Sequence, residues 1–285
     1  MAPRRAFAAL LCLLLASTNA FAWGDDGHRI TGHLANSLLN ANARAQLIAL
    51  VGTDDLAQLA TWMDDERDPL ATRLPGSARW HYENRAACGT TSRSCIGGHC
   101  ITAQIDKHRQ VLQDQRSSRQ QRADAIRVLV HLLGDLHQPL HLSDNQDRGG
   151  NDVLVLLPGQ RDARRLHKVW DTSFVRANLR RRKVADYAHD LANRFAVERV
   201  RWQNGNIEVW ATETYILGKE HAYQSLPNFV CGVRKQSQSN ALKLSADYVA
   251  QAQNIVDAQL AKAGVRIAWV LNSALHAAEP SSQNR

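Results

Sequence analysis

The stretch His131-Leu-Leu-Gly-Asp135-Leu-His137-Gln-Pro139-Leu-His141 packs three histidines, an aspartate and a helix-ending proline into eleven residues. His131 and Asp135 are four apart, so on a helix they stand one turn above each other on the same face. Pro139 ends or kinks that helix and can turn His141 back toward the same site. His167 and Asp171 repeat the i, i+4 spacing. Imidazole nitrogens and carboxylate oxygens suit zinc, and carboxylates can bridge two ions. One such pair alone reads as an ordinary hydrogen-bonded pair on a helix surface. Two of them, in a chain with 12 histidines and only two methionines, point to metal.

Outward from this stretch the patterning is helical. Residues 27–40 place Ile30, Leu34, Leu38 and Leu39 on one face, and residues 42–51 continue similarly. Residues 54–66, 101–115, 119–137, 184–200, 207–220 and 238–263 also carry apolar residues at spacings of three and four. Pro69, Pro75, Pro139, Pro158 and Pro227 sit where helices should stop, and Gly149-Gly150 and Asn204-Gly205-Asn206 mark loops. Val153 to Leu157 is the one convincing strand-like run, able to pair as a small hairpin. These signals predict one mainly helical domain over residues 23–285 with at most a minor hairpin.

The 285 residues contain 44% hydrophobic and 22% charged residues, which excludes a disordered, collagenous or coiled-coil chain. The net charge of +8 favours polyanionic partners without marking a site. Residues 1–22 read as a secretory signal peptide. Arg4 and Arg5 precede the apolar run Phe7 to Ala16, and Ala20-Phe21-Ala22 offers a small-x-small cleavage site. That run is shorter than the roughly 20 residues that span a bilayer, and nothing later in the chain is long and apolar enough. An exported protein starting at Trp23, periplasmic or secreted, is therefore expected, with no membrane attachment after cleavage. It retains Cys88, Cys95, Cys100 and Cys231. Four cysteines in an exported chain suggest two disulfides, for which three connectivities exist. Cys95–Cys100 is the natural local bridge, and Cys88–Cys231 would then close a long loop. A zinc site built from these cysteines is the rival reading, disfavoured by an oxidising compartment.

Further candidate ligands sit beside tryptophans, in Trp23-Gly-x3-His28, Thr61-Trp62-Met63-Asp64 and Trp80-His81-Tyr82. With these five motifs in order, the chain resembles the zinc-dependent single-strand-specific nucleases, the family of mung bean nuclease and the plant bifunctional nucleases. The resemblance runs from Trp23 to the last helix. It implies a helical domain with three zinc ions at the bottom of a cleft. One zinc would be held by Asp64, His81, His131 and Asp135. A close second would use the amino nitrogen and carbonyl oxygen of Trp23, with His28 and a bridging Asp135. A third would use His141, His167 and Asp171. An amide nitrogen is a poor ligand, so Trp23 could serve only after the leader is removed. His137 has no place in this pattern and is read as structural or as orienting a ligand.

The resemblance further implies hydrolysis of single-stranded DNA and RNA to 5′-phosphorylated products, with 3′-nucleotidase activity on 3′-nucleotides, by a monomer. Asp64 would orient the nucleophile while ligating. Arg67, three residues on and so expected on the same helical face, would neutralise charge growing on the phosphate. Tyr82 and Asn84 fall in the family's base pocket, where an aromatic ring stacks on a base. Asn84 stands where some relatives carry aspartate. Asn151, after Gly149-Gly150, is a further substrate-contact candidate. The basic runs Arg161 to Lys168 and Arg180 to Lys183 could track a phosphate backbone or simply be solvated. Zinc-dependent phospholipase C, which resembles these nucleases in fold and ligands, is the nearest alternative. A zinc-dependent binding protein without turnover is another, though a third site with only three protein ligands leaves a position open for water or phosphate.

Overall fold

Caps and breakers cut the chain into short helices wrapped around two long ones. The computed structural model describes residues 23–89, 95–232 and 238–275; the expected leader, residues 1–22, lies outside them. The first half holds α1 (Asp25–Asn36), α2 (Ala41–Val51), α3 (Leu56–Leu59), α4 (Trp62–Asp65), α5 (Arg67–Arg73), α6 (Ile101–Gln113) and α7 (Arg119–Asp135). Then come β1 (Leu154–Leu156), β2 (Arg164–Arg165), α8 (Leu166–Lys168), a π-helical turn (Val169–Ser173) and α9 (Phe174–Leu179). The chain ends with α10 (Val184–Arg194), α11 (Arg199–Gln203), α12 (Ile207–Leu217), β3 (Leu242–Lys243) and α13 (Ala246–Ala274). This is the expected mainly helical single domain. The hairpin is present as antiparallel β1 and β2, and β3 adds a parallel third strand beside β1. No helix among the described residues is long and apolar enough to cross a membrane.

Helix α7, which carries the decisive stretch, starts at a reciprocal cap. The Ser118 hydroxyl accepts from the Gln121 amide at 3.2 Å, and the Gln121 side chain accepts from the Ser118 amide at 2.8 Å. From Val128 to Asp135 every residue is buried, so the helix runs through the interior. It ends two residues before the expected bound, and a 3-10 turn over Pro139–His141 follows.

Two apolar clusters make up most of the interior. Leu56, Met63, Leu129, Leu133 and Trp210 belong to one, and Trp23, Leu140, Trp170, Tyr223 and Val256 to the other. Helices α1 and α13 cross both clusters and pack on each other. Their close approach explains a departure from the sequence reading, which ends the last helix at residue 263. Gly264 lies inside α13, where a Cβ would come within 2.3 Å of Leu34 Cβ. The glycine is there for contact with α1, and the helix continues to Ala274. At its other end the helix begins only at Ala246, capped by Ser245, because residues 242–243 are drawn into the sheet.

Three other expectations are corrected. Residues 54–66 do not form one helix but α3 and α4, broken at Ala60 and Thr61. Pro69 does not end a helix; it lies in the first turn of α5, where the missing N–H costs nothing. The segment 184–200 also divides, into α10, a 3-10 turn and the start of α11.

Gly264→Ala is expected to destabilise the protein by about 2 kcal/mol, the ordinary penalty for overpacking a tight helix contact. Urea denaturation checks this. An unchanged midpoint would mean that α1 and α13 can separate without cost.

Candidate metal centre

Asp135 ends α7 at the seam between the two clusters, fully buried. Its Oδ2 lies 2.9 Å from His81 Nδ1 and 3.2 Å from His131 Nε2. Its Oδ1 lies 3.3 Å from His28 Nε2 and 3.9 Å from His141 Nδ1. His131 Nε2 is in turn 3.0 Å from His81 Nδ1 and 4.0 Å from Asp64 Oδ2. The His28 and His131 rings stack at 4.1 Å between centroids. A second group forms beside this one. His141 and His167 stack at 5.2 Å, and His167 Nε2 is 3.4 Å from Asp171 Oδ2. All eight side-chain ligand candidates therefore converge in two adjacent groups drawn from α1, α4, α7, the 80–85 segment, the Pro139 turn, α8 and the π turn.

Backbone carbonyls aim the rings. His131 Nδ1–H donates to Ala60 O at 2.7 Å, His141 Nδ1–H to His81 O at 2.7 Å, and His167 Nδ1–H to Gly149 O at 2.6 Å. In His131 and His167 this turns Nε2 toward the centre, the usual role of an outer partner for a ligating histidine. The break between α3 and α4 serves the same end. Asp64 N bonds to Thr61 O and not to Ala60 O, so the Ala60 carbonyl is released from the helix ladder to His131.

The donor set fits divalent cations. His28 Nδ1, His28 Nε2 and Asp135 Oδ1 are buried without a hydrogen-bond partner, which is costly unless a cation fills the role. In each of three clusters, His28 with His131 and Asp135, Asp64 with His81 and His131, and His141 with His167 and Asp171, the ligand atoms lie within 4.8 Å of one another. Trp23 is buried alongside. Its indole N–H donates to Gly134 O at 2.9 Å, and Gly24 N donates to Asp171 O at 3.0 Å. The Trp23 side chain and the next backbone amide are thus tied beside both groups.

The electrostatics describe a centre holding protons where metal would sit. Burial alone would lower His131, but Asp135 and Asp64 overcome this and raise it to about 9. Burial likewise opposes the charge on Asp135, yet His131 and the other imidazoles hold it well below the usual carboxylate range. For Asp171 burial prevails over the Gln138 hydrogen bond and the nearby Lys168 and pushes it well up. Burial also depresses His141, to about 3, against the pull of Asp135.

Tyr82, Asn84 and Asn151 line a cavity of about 320 Å³ whose walls include His81, His141 and His167. Arg148, missed by the sequence reading, lines it too, on a loop residue at φ 57°. Arg67 differs from expectation in its support. Helix α4 ends at Asp65 and α5 begins at Arg67, so the two residues do not share a continuous helix, yet Arg67 donates to Asp64 Oδ1 at 2.8 Å. A second cavity, of about 370 Å³, opens on the other side of Asp64 and Asp171, bordered by Asp25, Asp26, Lys168 and Arg176.

Three supporting residues also escaped the sequence reading. Gln138 donates to Asp171 Oδ1 and accepts from Leu140 N. Gln259 donates to His137 O at 3.0 Å, and the buried Arg266 donates to His137 Nε2 at 3.0 Å and to Glu213 at 2.7 Å. His137 is thus held from α13 and its lone pair is occupied, so it is no ligand. The one available signal was Arg266 itself, a lone cation in the apolar run from Val265 to Val270. The disulfides are Cys88–Cys231 and Cys95–Cys100, which removes the cysteine zinc site.

Over residues 23–276 the chain matches the family described as S1/P1 Nuclease. It is 26% identical to Nuclease S1 of Aspergillus oryzae over 286 residues, covering 92% of this chain and 94% of that protein. Identity to Nuclease P1 of Penicillium citrinum is 27% over 279 residues, covering 90% and 99% respectively. Endonuclease 4 of Arabidopsis thaliana is 25% identical over 292 residues, with 94% of each chain covered.

His131 holds its proton more tightly folded than unfolded. Its contribution to stability is therefore complete below about pH 6.5 and lost as pH rises through about 9. The metal-free protein is expected to show a Tm that falls across this window. Saturating zinc, which displaces that proton, should stabilise more strongly at pH 8 than at pH 6. A metal-free Tm that rises across the window would contradict the assigned proton.

Proposed function

The chain belongs to the S1/P1 nuclease family, and from that premise we propose that it is an exported zinc-dependent endonuclease. It hydrolyses single-stranded DNA and RNA to 5′-phosphorylated products and acts on 3′-nucleotides as a 3′-nucleotidase. The observation that carries the reading is the pairing of two buried His/Asp groups with an aromatic- and amide-walled cavity opening directly onto them.

In this proposal three zinc ions are held by Asp64, His81, His131 and Asp135; by Trp23, His28 and Asp135; and by His141, His167 and Asp171. Bound there, zinc would activate water for attack on phosphorus and stabilise the departing oxygen. Removal of the leader after Ala22 frees the Trp23 amine to join the second set. The protein acts as a monomer in the periplasm or outside the cell, and its two disulfides suit an oxidising compartment.

The chain's own residues supply placement. Asp64 orients the nucleophile, and Arg67, which donates to Asp64, would meet the charge of a phosphate held at a metal on that carboxylate. Tyr82, whose ring is partly exposed, stacks on a base, while Asn84 and Asn151 offer amides to its edge. A cluster recessed beneath this cavity is reached by an unstacked nucleotide and not by a stiff duplex. The amides and Arg148 are polar partners suited to a nucleoside, which favours this reading over a phospholipase C.

Protein beginning at Trp23 is expected to release acid-soluble nucleotides from heat-denatured DNA and from RNA. Chelation should abolish the activity, zinc should restore it, and duplex DNA should be cut far more slowly. Inactivity of zinc-loaded protein on both polymers, with turnover of phosphatidylcholine, would establish the phospholipase instead. Tyr82→Ala should raise KM roughly tenfold, the equivalent of one lost stacking contact of ~1–3 kcal/mol, with kcat nearly unchanged. A fall in kcat alone would remove Tyr82 from the base pocket.

A further inference from the structure

Arg180-Arg181-Arg182-Lys183 joins α9 to α10, and all four residues are exposed. Arg182 is committed to the turn. It donates to Leu179 O at 3.1 Å, to Asn178 O at 2.7 Å and to Asp190 at 2.9 Å, and its guanidinium covers the Tyr187 ring at 4.3 Å. Arg180 and Arg181 sit at φ 47° and 64°, in the left-handed region that glycine or asparagine would occupy more easily. No ion pair with a described residue involves Arg180, Arg181 or Lys183. Asp190 is taken by Arg182, and Asp257 in the adjoining groove is taken by Arg194 at 2.8 Å. Three cations without an acidic partner thus lie within four residues, two of them, Arg180 and Arg181, against backbone preference. Strain of this kind persists where the surrounding structure enforces it, and it is a pointer to function.

The position of the turn gives it a use. The helical stretch that begins with the ligand candidates His167 and Asp171 runs on through α9 and ends at Arg180. Arg180 stands nine residue steps beyond Asp171 along this stretch, about 13 Å. A stacked strand advancing ~3.4 Å per nucleotide covers that in about four nucleotides. Lys168 and Arg176 face the cavity beside Asp171, but Asp25, Asp26 and Asp65 face it as well, and Arg176 is bound to Asp26 at 3.2 Å. Even without the candidate ligands Asp64 and Asp171, three carboxylates outnumber two cations there, so the attraction for an anion lies at the far turn.

Resting on the nuclease reading, we propose that Arg180, Arg181 and Lys183 form a second contact for the substrate. They bind the phosphate backbone of a single strand about four nucleotides from the bond being cut. The contact is with phosphates and not with bases, because the neighbouring aromatic ring, Tyr187, is already covered by Arg182. It carries no sequence preference. It lets long strands bind more tightly than short ones without altering the chemistry at the metal centre.

The test compares zinc-loaded protein with the triple variant Arg180→Asn, Arg181→Asn, Lys183→Asn. Asparagine tolerates the left-handed region and caps α10 from position 183, so the variant should fold. On a single-stranded 20-nucleotide DNA at low salt, kcat/KM should fall about tenfold, while cleavage of a dinucleotide stays within twofold. The slope of log kcat/KM against log salt on the 20-mer should flatten by about 2, the share of three phosphate contacts at ~0.7 each. An unchanged 20-mer rate and slope would overturn the proposal, as would an equal loss on both substrates. Cleavage of the dinucleotide by the parent protein reports on the nuclease reading alone, so failure there is distinguishable from failure of the second contact.

Discussion

A single buried carboxylate organises this molecule. Asp135 takes the imidazoles of His28, His81 and His131 around its two oxygens, with His141 at 3.9 Å. Removing such a group from water costs several kcal/mol, which only close cationic partners repay. Its place at the end of a helix buried along its last two turns explains why so much of the fold converges there. Helix α1 must come close enough to bring His28, and Gly134 allows it, since a Cβ there would lie 3.1 Å from His28 Nδ1. The 80–85 segment must deliver His81, and the Pro139 turn must bring back His141.

The same logic extends to the supports. Gly149 places its carbonyl on His167 in a left-handed conformation, where a Cβ would strike Leu140 O at 2.6 Å. Loop 143–151 is paired with the segment that follows Tyr82 and Asn84, Ala87 N donating to Asp144 O at 2.8 Å. Asn145 fastens that loop to Val230 O and Gly232 O, and the Cys88–Cys231 disulfide closes the ring from the other side. The cavity that opens on the His/Asp groups is thereby walled by cross-linked loops.

The convergence of the candidate ligands was legible because their chemistry is local. The spacing of His131 and Asp135, the proline four residues on, and the repeat of the spacing at His167 and Asp171 each have one simple geometric meaning, and the structure follows it. What stayed illegible depends on partners distant in sequence. Nothing near Ala60 announces that its carbonyl will be needed by His131, 71 residues away, and so the break between α3 and α4 went unread. Gly264 looks like a helix end until Leu34 is placed against it. Arg266 looks misplaced in an apolar run until His137, Trp202 O and Glu213 are seen around it. Strand β3 is two residues long and exists only because β1 is beside it.

The central claim is that Asp135 joins two metal positions into one centre, and a direct count of metal tests it most sharply. Protein beginning at Trp23 and its Asp135→Asn variant would be loaded with zinc, dialysed against metal-free buffer and measured by mass spectrometry of the element. The account expects three zinc ions per chain in the parent and at most one, at His141, His167 and Asp171, in the variant. Three ions retained in the variant, or fewer than two in the parent, would contradict it.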